Sequence, residues 1–155
     1  MGEETERKYL VKEVPKNLNT FVHATIEQGY IAITNDGMEV RIRRFGEKYF
    51  ETVKAGKGMT RAETEIELSK QQFESLWALT EGRRVEKTRY QTPYQDLIIE
   101  LDVYAGGLRN LVIAEVEFPS VEKSLVFEPP EWFGKEVTDD ERYKNKNLAI
   151  GGAPF

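Results

Sequence analysis

Polar and apolar residues alternate with period two over most of the chain, the spacing of half-buried β-strands. Eight strands are predicted: Glu4 to Val11, Tyr30 to Thr34, Met38 to Phe45, Lys48 to Lys54, Arg61 to Leu68, Arg84 to Thr92, Gln95 to Tyr104 and Leu111 to Phe118. Asn35-Asp36-Gly37 is a strong hairpin signal, and Gly46-Glu47 marks a second turn. A helix is expected around Leu18 to Gln28, with Phe21, Val22 and Ile26 on its apolar side and Gly29 ending it. Ser69 with Gln72 forms a capping box ahead of Phe73, Leu76, Trp77 and Leu79. Val121 to Phe127 reads as a short helix stopped by Pro129-Pro130, and Thr138 with Glu141 as a capping box for a last helix through Leu148. The fold class is α+β, mainly β. Short hairpins between eight antiparallel strands allow closure into a barrel, with helices packed outside.

The polar parity of these strands is charged rather than merely hydrophilic. Side chains two apart share a face. Glu4, Glu6 and Lys8 therefore stand together, as do Arg41 with Arg43 and Thr52 with Lys54. Arg61, Glu63 and Glu65 follow, then Lys87 with Arg89, Glu100 with Asp102, and Glu115 with Glu117. An ordinary solvent-facing sheet accounts for any one of these strands. It does not account for the set, in which acidic and basic strands are segregated and the helices need an apolar sheet surface to cover. A barrel with the charges inside must be wet, because each desolvated ion costs several kcal/mol. Carboxylate clusters suit hard divalent cations, and Arg and Lys clusters suit phosphate oxygens. A polyphosphate chelated to a metal needs both.

Composition narrows the alternatives. The 155 residues suit a single domain over 1–155. No cysteine is present, so disulfides and thiolate metal sites are excluded. The lone histidine, His23, is expected at the surface, which excludes His-based metal triads and Ser-His-Asp catalysis. A net charge of −5 argues against nucleic-acid binding. The lack of a long apolar run or signal peptide predicts a cytoplasmic protein without a membrane anchor. Gly56-Lys57-Gly58-Met59-Thr60 lacks a P-loop pattern and sits between strands, so it reads as a hairpin loop. Asp139-Asp140-Glu141 reads as helix capping.

The ordered motifs resemble those of the triphosphate tunnel metalloenzymes, also called CYTH proteins, in their short bacterial form. Glu4-Thr5-Glu6-Arg7-Lys8 is similar to the family's ExExK signature, and Val40-Arg41-Ile42-Arg43 to its VRIR strand. Thr52-Val53-Lys54, Arg61-Ala62-Glu63-Thr64-Glu65, Lys87-Thr88-Arg89-Tyr90, Glu100-Leu101-Asp102 and Glu115-Val116-Glu117-Phe118 follow in family order. Trp132 to Thr138 and Arg142-Tyr143-Lys144-Asn145 resemble the tail of short members. Thr5 departs from the apolar residue many members carry, on the parity opposite the glutamates.

The resemblance implies a closed eight-stranded tunnel, with the C-terminal helix near one mouth, that hydrolyses a triphosphate with Mg2+ or Mn2+, two ions in all. Glu4, Glu6, Glu63, Glu65, Glu100, Asp102, Glu115 and Glu117 would serve the metals. Lys8, Arg41, Arg43, Lys54, Arg61, Lys87 and Arg89 would grip the phosphates, with Lys8, Glu63, Glu65 and Lys144 as catalytic residues. Inorganic tripolyphosphate is the leading substrate. Cyclisation of ATP to cyclic AMP, thiamine triphosphate hydrolysis and non-catalytic polyphosphate binding are the alternatives, and a homodimer is compatible with the sequence.

Overall fold

A computed structural model describes residues 5–56 and 62–155. Nine strands form one antiparallel sheet. They are β1 (Thr5–Val11), β2 (His23–Ile33), β3 (Glu39–Phe45), β4 (Lys48–Ala55), β5 (Ala62–Leu68), β6 (Arg84–Tyr94), β7 (Leu97–Tyr104), β8 (Val112–Phe118) and β9 (Phe133–Glu136). Their order across the sheet is β5-β4-β3-β2-β6-β7-β8-β1-β9. Three short helices accompany them: α1 (Lys70–Trp77), α2 (Val121–Leu125) and α3 (Asn145–Gly151). Among the described residues no helix is long and apolar enough to cross a membrane.

Alternation gives the sheet two unlike faces. On one, Tyr9, Ile99, Leu101, Ala114, Val116 and Phe118 form an apolar cluster under Phe127 and Phe133. On the same face Ile42 and Leu68 receive Phe73 of α1. Ser69 caps α1 as the sequence predicts: its hydroxyl accepts from the Gln72 amide at 3.1 Å while the Gln72 side chain accepts from the Ser69 amide at 2.9 Å. The other face carries the charged parity. Towards one end that face turns apolar, through Tyr30, Val85, Tyr104 and Ile113, and these pack with Leu148 and Ala149 of α3. Covering apolar groups in this way is the main force holding α3 down. The C-terminal helix therefore sits over one end of the charged face.

Two expectations fail for identifiable reasons. The segment expected as a helix over Leu18 to Gln28 is a single 3₁₀ turn, Leu18–Thr20, followed by β2. The helical spacing of Phe21, Val22 and Ile26 is fortuitous, because Val22 is 73% exposed and only Ile26 is buried. Gly29 does not end a helix; it lies within β2, where Thr80 presses so close that a Cβ would meet it at 2.6 Å. Thr138 caps nothing, since its hydroxyl accepts from the Lys8 amide at 3.0 Å and donates to Glu136 at 2.6 Å. Asp140 caps the 3₁₀ turn Glu141–Tyr143 instead, accepting from the Arg142 amide at 3.1 Å. β9 is an unexpected ninth strand on the outer side of β1. Among the described residues no ladder joins β5 to β9, so the sheet runs as an open order of nine strands rather than as a closed ring of eight.

Candidate functional site

Sheet register decides which charged side chains meet. Starting from one edge, Glu6 stands opposite Glu117, and Lys8 opposite Glu115. Glu115 in turn faces Glu100. Arg89 faces Asp102, and Lys87 faces Tyr104. On the far side of β2, Arg41 pairs with Tyr30 and Arg43 with Gln28. Thr52 lies opposite Arg41 and Glu65 opposite Thr52; Lys54 lies opposite Glu63. The face is thus laid out as two acidic walls, β1-β8-β7 and β5, with a basic floor on β6, β3 and β4 between them.

The floor is tightly tied at one point. The Asp102 carboxylate accepts from Arg89 Nε at 2.8 Å, Arg89 Nη2 at 3.0 Å and Lys87 Nζ at 2.8 Å. Arg89 Nη1 pairs with Glu100 at 2.9 Å. Lys87 and Asp102 are both 3% exposed. Burial works against the Asp102 charge, but Lys87 and Arg89 outweigh it and hold the carboxyl below its ordinary range. Burial likewise lowers Lys87, with Asp102 opposing. Glu100 is raised, first by burial and then by Glu115 and Asp102, while Arg89 acts against the rise.

On β3, Arg41 and Arg43 stand across the ladder from Tyr30 and Gln28 rather than from carboxylates. Arg43 is lowered by burial and then by the charges of Arg41 and Arg89, with Glu65 and Glu100 opposing. Arg41 Nε is buried without a hydrogen-bond partner. A buried orphan donor in a cluster of like charges is costly to leave unmet. Phosphate oxygens are the acceptors that guanidinium groups match best.

Gln28 and Tyr30 are floor residues that sequence reading missed. The Gln28 amide donates to the Tyr30 hydroxyl at 2.7 Å, and both side chains are buried directly across from the two arginines. Reading β2 as a strand would have found them by parity. Tyr104 was also missed: its ring lies 5.3 Å from Lys87 Nζ, and its hydroxyl donates to Asn145 Oδ1 at 2.8 Å. Of the residues expected from sequence, Glu63 and Glu65 are exposed along β5, with Glu65 accepting from Thr52 at 3.0 Å. Lys8 Nζ reaches the Tyr143 carbonyl at 3.5 Å. Lys144 is not drawn into this network, since its ammonium pairs with Glu141 at 2.9 Å beside the exposed start of α3. Glu4 and Arg61 lie outside the described residues, as does most of the Gly56 to Thr60 loop. His23 is exposed as expected, although on β2 rather than on a helix.

Glu6, Glu117, Glu115 and Glu100 carry hard oxygen donors of the kind that could hold a Mg2+ or Mn2+ ion. Among the described residues no three acidic side chains converge as a preformed cage. That suits magnesium bound beside phosphate, which uses one or two carboxylates and completes its shell with phosphate oxygens and water. A cleft of about 590 Å3, bounded in part by Gln91, Ile98, Glu100 and Glu117, opens at the end of the face opposite α3.

Comparison with known proteins agrees with this layout. The CYTH domain model matches residues 2–147. An inorganic triphosphatase of Nitrosomonas europaea is 49% identical over 149 residues, covering 95% of this chain and 97% of that protein. An inorganic triphosphatase of Acetivibrio thermocellus is 39% identical over 151 residues, covering 96% and 94%. The crystal structure of an inorganic triphosphatase superposes with a TM-score of 0.83 at 46% identity, covering 97% of this chain and 96% of its own. A motif order, a charged sheet face and a near full-length match agree, and the chain belongs to the CYTH domain family.

Proposed function

We propose that this protein is a divalent-metal-dependent hydrolase that adds water across one anhydride bond of inorganic tripolyphosphate, releasing pyrophosphate and phosphate. The observation that carries the reading is the basic floor between two acidic walls, with Arg41 and Arg89 both acting on Arg43 and Arg41 Nε left without an acceptor. The two relatives named inorganic triphosphatase, each matched over nearly its whole length, support the same substrate.

In this reading the charged face wraps round the substrate as a tunnel. Arg41, Arg43, Lys54 and Arg89 hold the phosphate chain, joined by Lys8 from β1 and by Arg61, while Lys87 acts from beneath through Asp102. Glu4, Glu6, Glu115 and Glu117 hold one Mg2+ or Mn2+ ion at the first wall, flanked by Glu100. Glu63 and Glu65 on the second wall orient a second ion or the attacking water, with Lys8 and Lys144 as further catalytic groups. The chemistry such ions supply is neutralisation of phosphate oxygens and activation of water. Phosphoryl transfer otherwise asks a protein mainly for positioning and charge stabilisation, which a rigid sheet of fixed charges provides.

Phosphate release from tripolyphosphate, ATP and thiamine triphosphate, each with Mg2+, Mn2+ or EDTA, tests the proposal. Release from tripolyphosphate that needs a metal is expected. Folded protein that releases phosphate from none of the three would sink it.

A further inference from the structure

We infer that Asp102 is a positioning residue, whose carboxylate locks Arg89 and Lys87 into the floor instead of ligating a divalent cation. The inference rests on the triphosphatase reading and refines it, separating one acidic residue from the metal-binding set to which its motif assigns it.

The argument begins with the lone pairs. A carboxylate offers about four acceptor positions. On Asp102, Oδ1 accepts from Arg89 Nε at 2.8 Å, and Oδ2 accepts from both Arg89 Nη2 at 3.0 Å and Lys87 Nζ at 2.8 Å. A metal ion would have to sit about 2.1 Å from one of these oxygens. Three of those positions are taken, and at the fourth, on Oδ1, the ion would lie beside two cations already in contact with the same group, whose repulsion opposes it. At 3% exposure the carboxylate also presents almost no surface to the water that would complete the ion's shell. Glu6 and Glu117 present the opposite case, exposed and facing each other across β1 and β8.

Lys87 explains why the clamp is needed. It is as buried as Asp102, with Tyr104 beside it and Asn145 of α3 holding the Tyr104 hydroxyl. The ammonium is therefore enclosed at the α3 end of the floor and serves as the anchor of the carboxylate. Arg89 keeps a partly exposed side chain, and its third contact, to Glu100, lies nearer the open end. The forked hydrogen bond fixes the guanidinium plane, which a single-point contact would not do. Lys87 and Asp102 together form a buried base, and Arg89 is the arm that meets the phosphate chain.

Binding of tripolyphosphate in EDTA, measured by isothermal titration with no metal present, separates the two roles because they predict opposite signs. D102N removes a negative charge next to a bound polyanion. If Asp102 were only a metal ligand, metal-free binding would tighten or stay level. If it positions Arg89, binding weakens, and a loss of at least tenfold is expected. E117Q removes the same charge from an exposed carboxylate and is expected to bind at least as tightly as wild type. Should D102N fail to fold, the double variant K87M/D102N removes both buried charges at once and is expected to show the same tenfold loss. Binding by the folded variant equal to or tighter than wild type overturns the inference. Wild-type turnover with Mg2+, measured in parallel, judges the triphosphatase reading separately.

Discussion

Replacing Arg89 by lysine keeps the charge and removes the fork. The guanidinium makes three charge-assisted contacts, at 2.8 and 3.0 Å to Asp102 and 2.9 Å to Glu100. A lysine ammonium is a compact point charge and can replace one of them with good geometry. Two are therefore lost, and each hydrogen bond between charged groups contributes roughly 1.5–3 kcal/mol. Water recovers part of that, because the Arg89 side chain is 19% exposed. The misplaced cation then meets the transferring phosphoryl group poorly. Loss of one preorganised donor at such a group costs about 2.7–4 kcal/mol. The second figure corresponds to a fall of about 100- to 1,000-fold in kcat/KM for R89K, using about 1.4 kcal/mol per decade. The assay is initial-rate release of phosphate from tripolyphosphate at saturating Mg2+, with far-UV circular dichroism to confirm that the variant is folded. A folded R89K enzyme within threefold of wild type would refute the claim that the fork, rather than the charge, matters.

Gly29→Ala should lower the melting temperature by several degrees. Its new Cβ would lie 2.6 Å from Thr80, which is fully buried, and overpacking of this kind costs about 1–3 kcal/mol. A scan that leaves the midpoint unmoved would show that the 3₁₀ turn Ala78–Thr80 gives way freely. E6Q and E117Q should each raise the Mg2+ concentration for half-maximal activity by about tenfold, in line with loss of one ligand of a small set. A normal metal requirement in both would remove that wall from the metal site. Glu136 is held below its ordinary value of 4.5, first by the hydrogen bond from Arg7 and then by burial opposing and Thr138 assisting. Its contribution to stability is thus present above pH 4.5 and is lost as pH falls through its lowered value. Urea midpoints should accordingly fall less steeply below pH 4.5 in E136Q than in wild type, and parallel curves would contradict this.

Much of the fold was legible because alternation is local. Seven of the eight expected strands overlap observed ones closely, and the charged parity could be read from each strand alone. Strand β2 was legible only in its second half. His23 to Gly29 contains Ala, Glu and Gln, which favour helices, and its burial pattern comes from two flanking strands that lie elsewhere in the sequence. Propensity is a weak prior against such tertiary pairing. The same misreading hid Gln28 and Tyr30. β9 is four residues long and exists through its ladder with β1 and the Val137 amide bond to the Lys8 carbonyl, at 2.8 Å. No periodicity can announce an element that short. Closure was least legible, because alternation says which face a side chain takes and nothing about how far the sheet curls.

The division of labour among the acidic residues illustrates the same limit. Glu100, Asp102, Glu115 and Glu117 are indistinguishable as letters on alternating strands. What separates them is register. The β6–β7 hairpin turns at Gln95 and Asp96, where Gln95 takes φ 57° with neither glycine nor asparagine to signal it. A one-residue shift in that turn would bring a different parity of β6 opposite Asp102, and Arg89 would face away from it. The pairing of Arg89 with Asp102 is thus set by one left-handed residue at the turn of the β6–β7 hairpin, the opposite end of β7 from Tyr104, whose hydroxyl binds Asn145 of α3. An acidic side chain becomes an anchor when register gives it two cations and packing removes its water. Glu117 differs in both respects, since it is exposed and register sets another carboxylate, Glu6, opposite it.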